Sequence, residues 1–301
     1  MAILKDVPFE EYVVMKGMNH STLQYGFKSM RALKYHLDNG REKESSGFSI
    51  GTASHTLLLE PEEFENTYIV MPDYASMPEN RTKDGKRSYN WTTVFAKQMK
   101  ANFLMDAEED GKTVVTAKDY RAGLRISESV YSNPRARDLI ETCDTELTLT
   151  GEIDGVECKG RLDLAGEGLF ADLKTTASVL PSAFGRSFAN FNYSSQMAFY
   201  RELYIQNYGG VIPLCEVIAV ENGGDYDCVV YDIPEQVIDL GWGRVCRVIA
   251  EYKTALETDH WPRIGEGETT LPLVFPNWAM PEDGSEEEYD LSGMQNFEGD
   301  Y

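Results

Sequence analysis

Residues 160–176 read GRLDLAGEGLFADLKTT and decide the expected fold of this 301-residue chain. Just before and within this stretch, ELTLTGEI (146–153) and VECKGRLDLA (156–165) alternate polar and apolar residues on either side of Asp154-Gly155. This alternation and this dipeptide are typical of two strands joined by a tight hairpin turn. The rest of the quoted stretch, GLFADLKTT, is predicted to continue as a third strand.

Helical periodicity is found on both sides of these strands. A Ser-Thr start with apolar spacing predicts one capped helix over 21–38, and the longest helix is predicted over 235–257. Other helices are predicted at about 91–106, 117–131, 181–188 and 192–206. Strands are predicted in ENTYIVMP, CEVIAVE and YDCVVYDI, and GKTVVT is predicted to be a short strand or a turn. The predicted fold class is therefore mixed α/β, with a central mixed sheet flanked by helices.

Two carboxylates and one ammonium group are expected close together on these strands. Asp163 ends one strand, and Asp172 and Lys174 lie two residues apart on the next, so they project from the same face. Mg²⁺ prefers carboxylate and carbonyl oxygens and polarises phosphoryl groups, while a nearby lysine can orient the attacking water. The pattern indicates metal-dependent phosphodiester hydrolysis, although a cross-strand salt bridge on a solvated sheet face would give the same spacing.

Two further segments offer polar groups to such a site. In NYSSQMAFYREL, Gln196 and Tyr200 are four residues apart and share one helical face, from which they can hydrogen-bond a phosphate. Alternatively, Tyr200 belongs to the core and Gln196 to the surface. His55, in GTASHTLLLEPEEF, is either a packed core histidine or a neutral imidazole that binds a metal.

The charge balance restricts where nucleic acid could bind. The net charge is −22, and residues 282–301 contribute eight acidic residues and no basic one, which leaves −14 on the first 281. DNA contact would therefore need a local basic surface. The candidates are Arg161 and a polar loop at 73–90, which is either a DNA-contacting loop or a solvated charge run; its basic residues are Arg81, Lys83, Lys86 and Arg87.

The same composition sets the expected organisation and location of the chain. We predict one domain over 1–280 and an acidic, disordered tail over 281–301. No apolar run approaches the roughly 20 residues of a membrane span, and the start MAILKDVPFEEY lacks a secretory signal, so the cytoplasm is expected. The five cysteines are widely scattered without a C-x-x-C pair, which is typical of unremarkable thiols.

Four motifs in this order resemble the RecE-type (exonuclease VIII) branch of the PD-(D/E)XK nucleases, a superfamily that includes the RecB nuclease domain and lambda exonuclease. The motifs are G-T-A-x-H-x-L-L-L-E-P at 51–61, G-R-x-D at 160–163, D-x-K-T-T at 172–176 and Q-x-A-F-Y at 196–200. The resemblance covers about residues 15–280, and the order of the motifs is far more specific than any one of them. It implies a restriction-endonuclease-like core.

The resemblance also implies a role for each matching residue. His55, Asp163 and Asp172 would bind Mg²⁺ (or Mn²⁺) with the backbone carbonyl of Leu173, and Lys174 would be the catalytic lysine. Gln196 and Tyr200 would complete the site and touch the DNA backbone. Glu146 matches an accessory acidic position of some relatives only loosely.

Relatives of this kind degrade one strand of linear double-stranded DNA from its 5′ end during phage-type recombination by single-strand annealing. They assemble as ring-shaped homo-oligomers, trimers or tetramers, and commonly work beside a RecT-like annealing protein in the bacterial host cytoplasm. The resemblance thus implies the same activity, partners and location for this chain, and no membrane association.

Two other interpretations of the sequence are open. A RecB-like nuclease of DNA repair or CRISPR systems often holds an iron–sulfur cluster, which the scattered cysteines do not fit. A DNA-end-binding protein on a nuclease fold would bind without turnover. It is disfavoured because degenerate relatives typically lose the lysine or a carboxylate, and both are present here.

Overall fold

The structure is a computed structural model that describes residues 1–40 and 50–273. These residues contain eight strands: β1 (Ala2–Leu4), β2 (Tyr68–Met71), β3 (Thr113–Thr116), β4 (Asp144–Ile153), β5 (Val156–Gly166), β6 (Leu169–Thr176), β7 (Leu214–Glu221) and β8 (Cys228–Asp232). They also contain eleven α-helices: α1 (Phe9–Val14), α2 (His20–Leu23), α3 (Met30–Asn39), α4 (Ile50–Leu59), α5 (Pro61–Thr67), α6 (Val94–Glu109), α7 (Ala117–Ser132), α8 (Pro134–Thr142), α9 (Pro181–Asn190), α10 (Tyr193–Asn207) and α11 (Glu235–Thr258).

Six strands form the central sheet in the order β1-β4-β5-β6-β7-β8. Strands β6 and β7 are parallel, and every other neighbouring pair is antiparallel. The β4–β5 hairpin turns at Asp154 and Gly155, whose φ angles of 48° and 80° both lie in the left-handed region that such a turn requires. The mixed α/β fold, the hairpin and the third strand predicted from the sequence are all confirmed.

Helices cover both faces of this sheet, because the inner strands are apolar on both sides. One face packs against α10 and α11 through Leu147, Leu149, Leu162, Phe170, Met197, Phe199, Leu203, Val245, Val248 and Ile249. The other face packs against α4, α7 and α8 through Leu58, Leu59, Ile126, Val130, Leu139, Leu164, Ala171, Leu173 and Ile218. The two layers fix the helices that carry His55 and Gln196 on opposite sides of the sheet.

The central strands separate at the position that concerns function. Strands β5 and β6 pair only from Leu164↔Ala171 to Gly166↔Leu169. Asp163 and Asp172 are the next residues along the two strands, so they lie where the ladder ends and the strands diverge. A gap in a sheet bordered by carboxylates leaves room for a ligand without breaking the core.

The single helix predicted over 21–38 is wrong. The structure has α2, a 3₁₀ turn at Gln24–Phe27, and then α3. Ser29 has an extended backbone, and its hydroxyl accepts a hydrogen bond from the amide of Ala32 (3.1 Å), so it starts a new helix. At Gly26, a Cβ atom would meet Cγ1 of Val248 at 2.4 Å, because the 3₁₀ turn packs directly on α11. Tertiary contact therefore overrides the local helical pattern.

A smaller element consists of the parallel strands β2 and β3, with α6 packed beside them. All strands and helices of the described residues lie within Met1–Arg263, which forms one compact unit. The acidic segment 281–301 lies outside the described residues, so the predicted division at residue 280 stays a prediction. No helix within 1–40 and 50–273 is long and apolar enough to cross a membrane.

Candidate metal and catalytic site

His55 lies on the face of α4 that looks toward the end of the β5–β6 ladder. Its Nε2 atom is 2.8 Å from Oδ2 of Asp163, and its Nδ1 atom is 3.1 Å from Oε1 of Glu146. Both ring nitrogens therefore face a carboxylate, which a packed core histidine does not require. His55 and Asp163 are brought together as the resemblance implied.

Asp163 also replaces a missing backbone partner. Its Oδ2 atom accepts a hydrogen bond from the backbone amide of Leu173 at 2.7 Å. That amide lies just beyond the last paired residues of β5 and β6, where no strand carbonyl is available. The carboxylate thus stabilises the divergence of the strands, and its side chain is only 11% exposed.

Glu146 lies directly across the hairpin from Asp163. The pairs on either side of it are Thr145↔Leu164 and Leu147↔Leu162, so Glu146 and Asp163 are opposite each other. Glu146 itself has a φ of 52°, a left-handed conformation inside a strand. The sequence contained a signal for this meeting, since Glu146 is eight residues before Asp154 and Asp163 is eight residues after Gly155.

Arg161 holds Glu146 from the other side. Its Nε atom is 2.9 Å from Oε2 of Glu146, and its Nη2 atom is 2.6 Å from Oε1 of Glu60. Its side chain is 10% exposed, so the guanidinium is mostly committed to these two carboxylates. Glu60 is not predicted as a site residue from the sequence, although it is the last residue before Pro61 in the motif at 51–61.

Asp172 and Lys174 form a second group beside the first. They are in ion-pair contact, as their spacing on one strand face predicts. Gln196 donates from Nε2 to Oδ1 of Asp172 (3.3 Å) and to the hydroxyl of Tyr200 (3.2 Å), so the predicted helical pair does face the sheet. The Nζ atom of Lys174 also lies 4.8 Å from the ring centre of Tyr193, a residue missed in the sequence although it is three residues before Gln196.

The glycine of the G-R-x-D motif allows α10 to approach the sheet this closely. A Cβ atom on Gly160 would lie 3.1 Å from two ring carbons of Tyr200 and 3.0 Å from a methyl of Leu203. Even a methyl group here would require the Tyr200 ring and Leu203 to move by a few tenths of an ångström. Gly160 therefore positions Tyr200 and, through the same helix, Gln196.

The charges in the two groups shift one another's protonation. Burial would lower the pKa of His55, but Asp163 and Glu146 outweigh it and hold that pKa well above its usual value. Burial opposes ionisation of Asp163, yet His55 and Lys174 bring its pKa below the usual value. Burial and the charge of Asp163 raise the pKa of Asp172 to about 6, against the opposing effect of Lys174.

Lys174 stays charged despite being buried. Burial alone would lower its pKa, but the carboxylates of Asp172 and Asp163 raise it above the usual value. The site therefore presents a permanent ammonium group beside two carboxylates at neutral pH. That is the charge arrangement expected where a phosphate is bound and activated.

Three groups fit a divalent cation by geometry and chemistry. One ligand atom each from His55, Glu146 and Asp163 lies within 4.8 Å of the others, and the set of imidazole and carboxylate donors suits a divalent metal. Asp172 is not part of this triad. Its buried Oδ2 atom is in ion-pair contact with Lys174, and a carboxylate oxygen has lone pairs for a further positive partner.

The site opens into a cleft of about 640 Å³. The triad, Lys174 and the carboxylate of Glu60 all line it. Aromatic rings line the same cleft, contributed by Phe9, Tyr12, Tyr25, Tyr68, Tyr193 and Tyr200. The cleft therefore combines charged groups at one place with flat apolar surfaces around them.

The remaining predicted contact residues lie elsewhere. Arg81, Lys83, Lys86 and Arg87 are exposed in the segment between β2 and α6 and do not line the cleft. Arg161 lines the cleft but is held by Glu60 and Glu146. The predicted contact of either group with DNA stays a prediction.

Comparison with known proteins gives one family and several similar structures. A family described as a PDDEXK-like domain of unknown function, DUF3799, matches residues 24–270. The crystal structure of a candidate exonuclease from Eubacterium rectale is similar at a TM-score of 0.57 and 13% identity, covering 90% of this chain and 96% of that one. This likeness shows the fold.

Two more distant structures are also similar. LHK-Exo in complex with dAMP has a TM-score of 0.26 and 15% identity, covering 56% of this chain and 84% of its own. SSO0001 has a TM-score of 0.26 and 12% identity, and the match covers 80% of this chain and 88% of that one. No curated protein matches the chain.

Proposed function

The chain belongs to the PDDEXK-like family DUF3799, and from this premise we propose that it is a metal-dependent nuclease. The observation that carries the proposal is the convergence of His55, Glu146 and Asp163 beside Lys174 in one cleft, with Asp172 buried behind Lys174 as its ion-pair partner. A salt bridge on a solvated sheet face would be exposed, whereas the Asp172 side chain is only 1% exposed and that of Lys174 17%.

We propose that His55, Glu146 and Asp163 hold Mg²⁺, or Mn²⁺ in its place. A divalent cation there would supply Lewis-acid polarisation of a phosphodiester group. The Leu173 amide points to Asp163, and in an extended strand the carbonyl of a residue points to the same side as its amide. This supports the predicted participation of the Leu173 carbonyl, and the buried Oδ2 of Asp172 is a further donor.

The other residues of the site act on the substrate in this proposal. Lys174 orients the attacking water and stabilises negative charge that develops on the phosphate, since its pKa is raised and it stays protonated. Asp172 holds this ammonium group in place. Gln196 and Tyr200 hydrogen-bond the DNA backbone or the water, from the helix face where they already contact each other.

At a finer level we propose a 5′→3′ exonuclease that degrades linear double-stranded DNA, like the RecE-type enzymes. The four motifs and their order support this assignment. It includes a ring-shaped homo-oligomer, a RecT-like annealing partner and a role in phage-type recombination. Phosphate contacts by Arg81, Lys83, Lys86 and Arg87 belong to the same proposal, because DNA phosphates require basic partners and these four residues are exposed.

The test is digestion of linear duplex DNA labelled at either the 5′ or the 3′ end, in Mg²⁺ or in EDTA. We expect metal-dependent release of mononucleotides with the 5′ label freed first. Lys174→Ala should lower the rate by roughly 10²–10³-fold, because it removes a group that stabilises the transition state. Lys118→Ala is the matched control, because Lys118 is exposed on α7 and outside the cleft.

Other results would reject parts of the proposal. Digestion in EDTA, or full activity of Lys174→Ala, would rule out the proposed centre. Tight binding of DNA ends without digestion, in Mg²⁺ and also when Mn²⁺ replaces it, would make the chain a DNA-end-binding protein. Release of the 3′ label first would leave a nuclease but remove the RecE-type polarity.

A further inference from the structure

The segment that follows the small sheet forms a compact projection, here called the basic finger (residues 80–91). Its chain folds back on itself: Thr82 donates to the carbonyl of Lys86 (2.8 Å), and Ser88 donates to the carbonyl of Asn80 (2.8 Å). Gly85, at a φ of 80°, closes the tip by donating to the carbonyl of Thr82 at 2.9 Å. The finger is therefore a short hairpin-like loop.

A buried asparagine fixes the base of the basic finger. Asn80 is fully buried, and its Nδ2 atom donates to the carbonyls of Ala75 (2.9 Å) and Asn90 (3.3 Å). Its Oδ1 atom accepts a hydrogen bond from the hydroxyl of Thr93, the residue that caps α6. Asn80 thus ties the base of the finger to the segment before it and to the start of α6.

The basic finger carries positive charge in a strongly acidic chain. Residues 81–91 contain four basic residues and one acidic residue, a net charge of +3, whereas the whole chain carries −22. Lys83 and Lys86 are exposed at the tip, and within 1–40 and 50–273 neither has an ion-pair partner. Arg81 is partly committed, since it donates to the carbonyl of Gly85 (2.9 Å).

The same finger exposes two aromatic rings. Tyr89 is 67% exposed, and the Arg87 guanidinium lies over its ring at 5.0 Å. Trp91 is 39% exposed and is held edge-on against the buried ring of Tyr74, with the ring centres 6.3 Å apart. Exposed aromatic rings offer faces on which bases stack, and the four basic residues that precede them in the finger suit the phosphates of a nucleic acid.

We infer that the basic finger binds unpaired nucleic-acid bases, with Tyr89 and Trp91 stacking on them and Lys83 and Lys86 contacting the phosphates. Bases in the interior of a duplex are stacked on both faces, whereas a single strand offers successive unstacked bases to Tyr89 and Trp91, so the ligand in this inference is a single strand. The inference deepens the proposed nuclease function, because hydrolysis of one strand of a duplex leaves the other unpaired. The finger is outside the catalytic cleft, and its role is to hold that strand.

The test measures binding of fluorescein-labelled oligothymidylate of about 15 nucleotides by the full chain in EDTA, with a duplex of equal length as comparison. Tyr89→Ala should weaken single-strand binding at least about fivefold, the effect expected for one stacked base. Duplex binding should change less than about twofold. Tyr89→Phe keeps the ring and should bind normally, and Tyr131→Ala controls for removal of an exposed tyrosine on α7.

Charge and position are tested in the same system. The double variant Lys83→Gln/Lys86→Gln should flatten the salt dependence of single-strand affinity by about 0.7 for each phosphate that the two lysines no longer neutralise. On irradiation, an oligonucleotide that contains 5-iodouracil should crosslink to the peptide that contains Tyr89 and Trp91. Equal affinity of Tyr89→Ala and wild type would overturn the inference, as would an equal weakening of duplex binding.

Two outcomes distinguish single-strand binding by the finger from acidic-peptide binding and from the proposed nuclease activity. If poly-glutamate competes as well as the oligonucleotide does, the finger recognises acidic peptides by charge, and the inference is wrong. Because binding is measured in EDTA, it does not depend on hydrolysis. A chain that digests DNA but is unaffected by Tyr89→Ala would reject only the role of the finger, and a chain that binds through Tyr89 without digestion would reject only the nuclease.

Discussion

At the scale of single residues, Glu146 connects the structural and the chemical parts of the site. One of its carboxylate oxygens faces His55 and the other faces Arg161. Its left-handed backbone inside a strand costs about 1–3 kcal/mol and persists only where the surroundings impose it. The ion pair with Arg161 and the pairing of both neighbouring residues in β4 impose it here, which suggests that the carboxylate direction matters.

We therefore predict that Glu146→Gln lowers the affinity for Mn²⁺ at least about tenfold. The amide keeps the size of the side chain but removes its charge. Calorimetric titration measures the effect directly, without DNA. Glu63→Gln is the matched control, because Glu63 lines the same cleft but is exposed and outside the triad. An equal decrease of affinity in both variants would mean that only the general negative charge attracts the cation.

His20 supplies a residue-scale prediction about stability. It is 6% exposed, and its Nε2 atom is 2.9 Å from the hydroxyl of Ser195. Burial, aided by the charge of Lys174, lowers its pKa to about 3. The unfolded chain binds this proton from about pH 6.5 downward while the folded chain does not, so the contribution of neutral His20 is complete above pH 6.5 and is lost as the pH falls toward 3.

When the pH falls from 7 to 5, protonation of His20 in the unfolded chain should lower the free energy of unfolding by roughly 2 kcal/mol. Urea unfolding of wild type and His20→Gln at both pH values isolates it, since glutamine can still bond Ser195 but does not titrate. The variant should be less stable at pH 7, because it lacks the ring contacts with Phe27 and Phe199. The stability difference should shrink at pH 5; an unchanged difference would contradict the assigned pKa.

At the scale of elements, the contact between α10 and α11 depends on one glycine of two. A Cβ atom on Gly241 would lie 2.1 Å from the backbone carbonyl oxygen of Ser194, whereas one on Gly243 would meet nothing within 4 Å. Both glycines lie inside the 24-residue helix α11, where glycine lowers helix stability. Gly241 is needed for the close packing of α11 against Ser194 on α10, whereas Gly243 is not.

We predict opposite effects for two chemically identical substitutions in this helix. Gly241→Ala should destabilise the fold by about 3 kcal/mol, because backbone cannot move away as a side chain can. Gly243→Ala should stabilise it by roughly 0.5–1 kcal/mol through helix propensity. Urea unfolding compares the two. Similar free energies of unfolding for both variants would show that α11 does not pack against Ser194 as described.

Elements with local signals could be predicted from the sequence, and elements set by distant contacts could not. Asp154-Gly155 and the alternation around it define the hairpin without help from the rest of the chain. In contrast, the helix expected over 21–38 is broken because Gly26 meets Val248, more than 200 residues away in sequence. Periodicity reports which residues are apolar, but it does not report which partner they meet.

At the scale of the whole molecule, the same distinction applies to the site. Asp172 with Lys174 and Gln196 with Tyr200 are local pairs whose meeting follows from strand and helix spacing. His55 and Asp163 are 108 residues apart in sequence, so no local spacing predicts their contact. Only the family resemblance implied it. The meeting of Glu146 with Asp163 follows from counting outward from the hairpin turn, whereas the ion pair between Arg161 and Glu60 depends on how α4 packs on the sheet.

Net charge leads to a prediction for the whole chain. Residues 282–301, which lie outside the described residues, carry eight of its acidic groups, and removing them changes the net charge from −22 to −14. We expect the shortened chain to bind DNA up to about tenfold more tightly at low ionic strength, with the difference vanishing as salt screens the charges. Affinity measured over a range of salt concentrations checks this. A salt-independent difference would instead indicate direct contact.

The central claim is that a divalent cation at His55, Glu146 and Asp163 makes this chain a nuclease. The most direct measurement is a titration of Mn²⁺ into the wild-type chain with linear duplex DNA, following cation binding and nucleotide release together. We predict no release without metal and a rate that rises in proportion to the occupied fraction of sites. Release in EDTA, or full occupancy without any release, would contradict the claim.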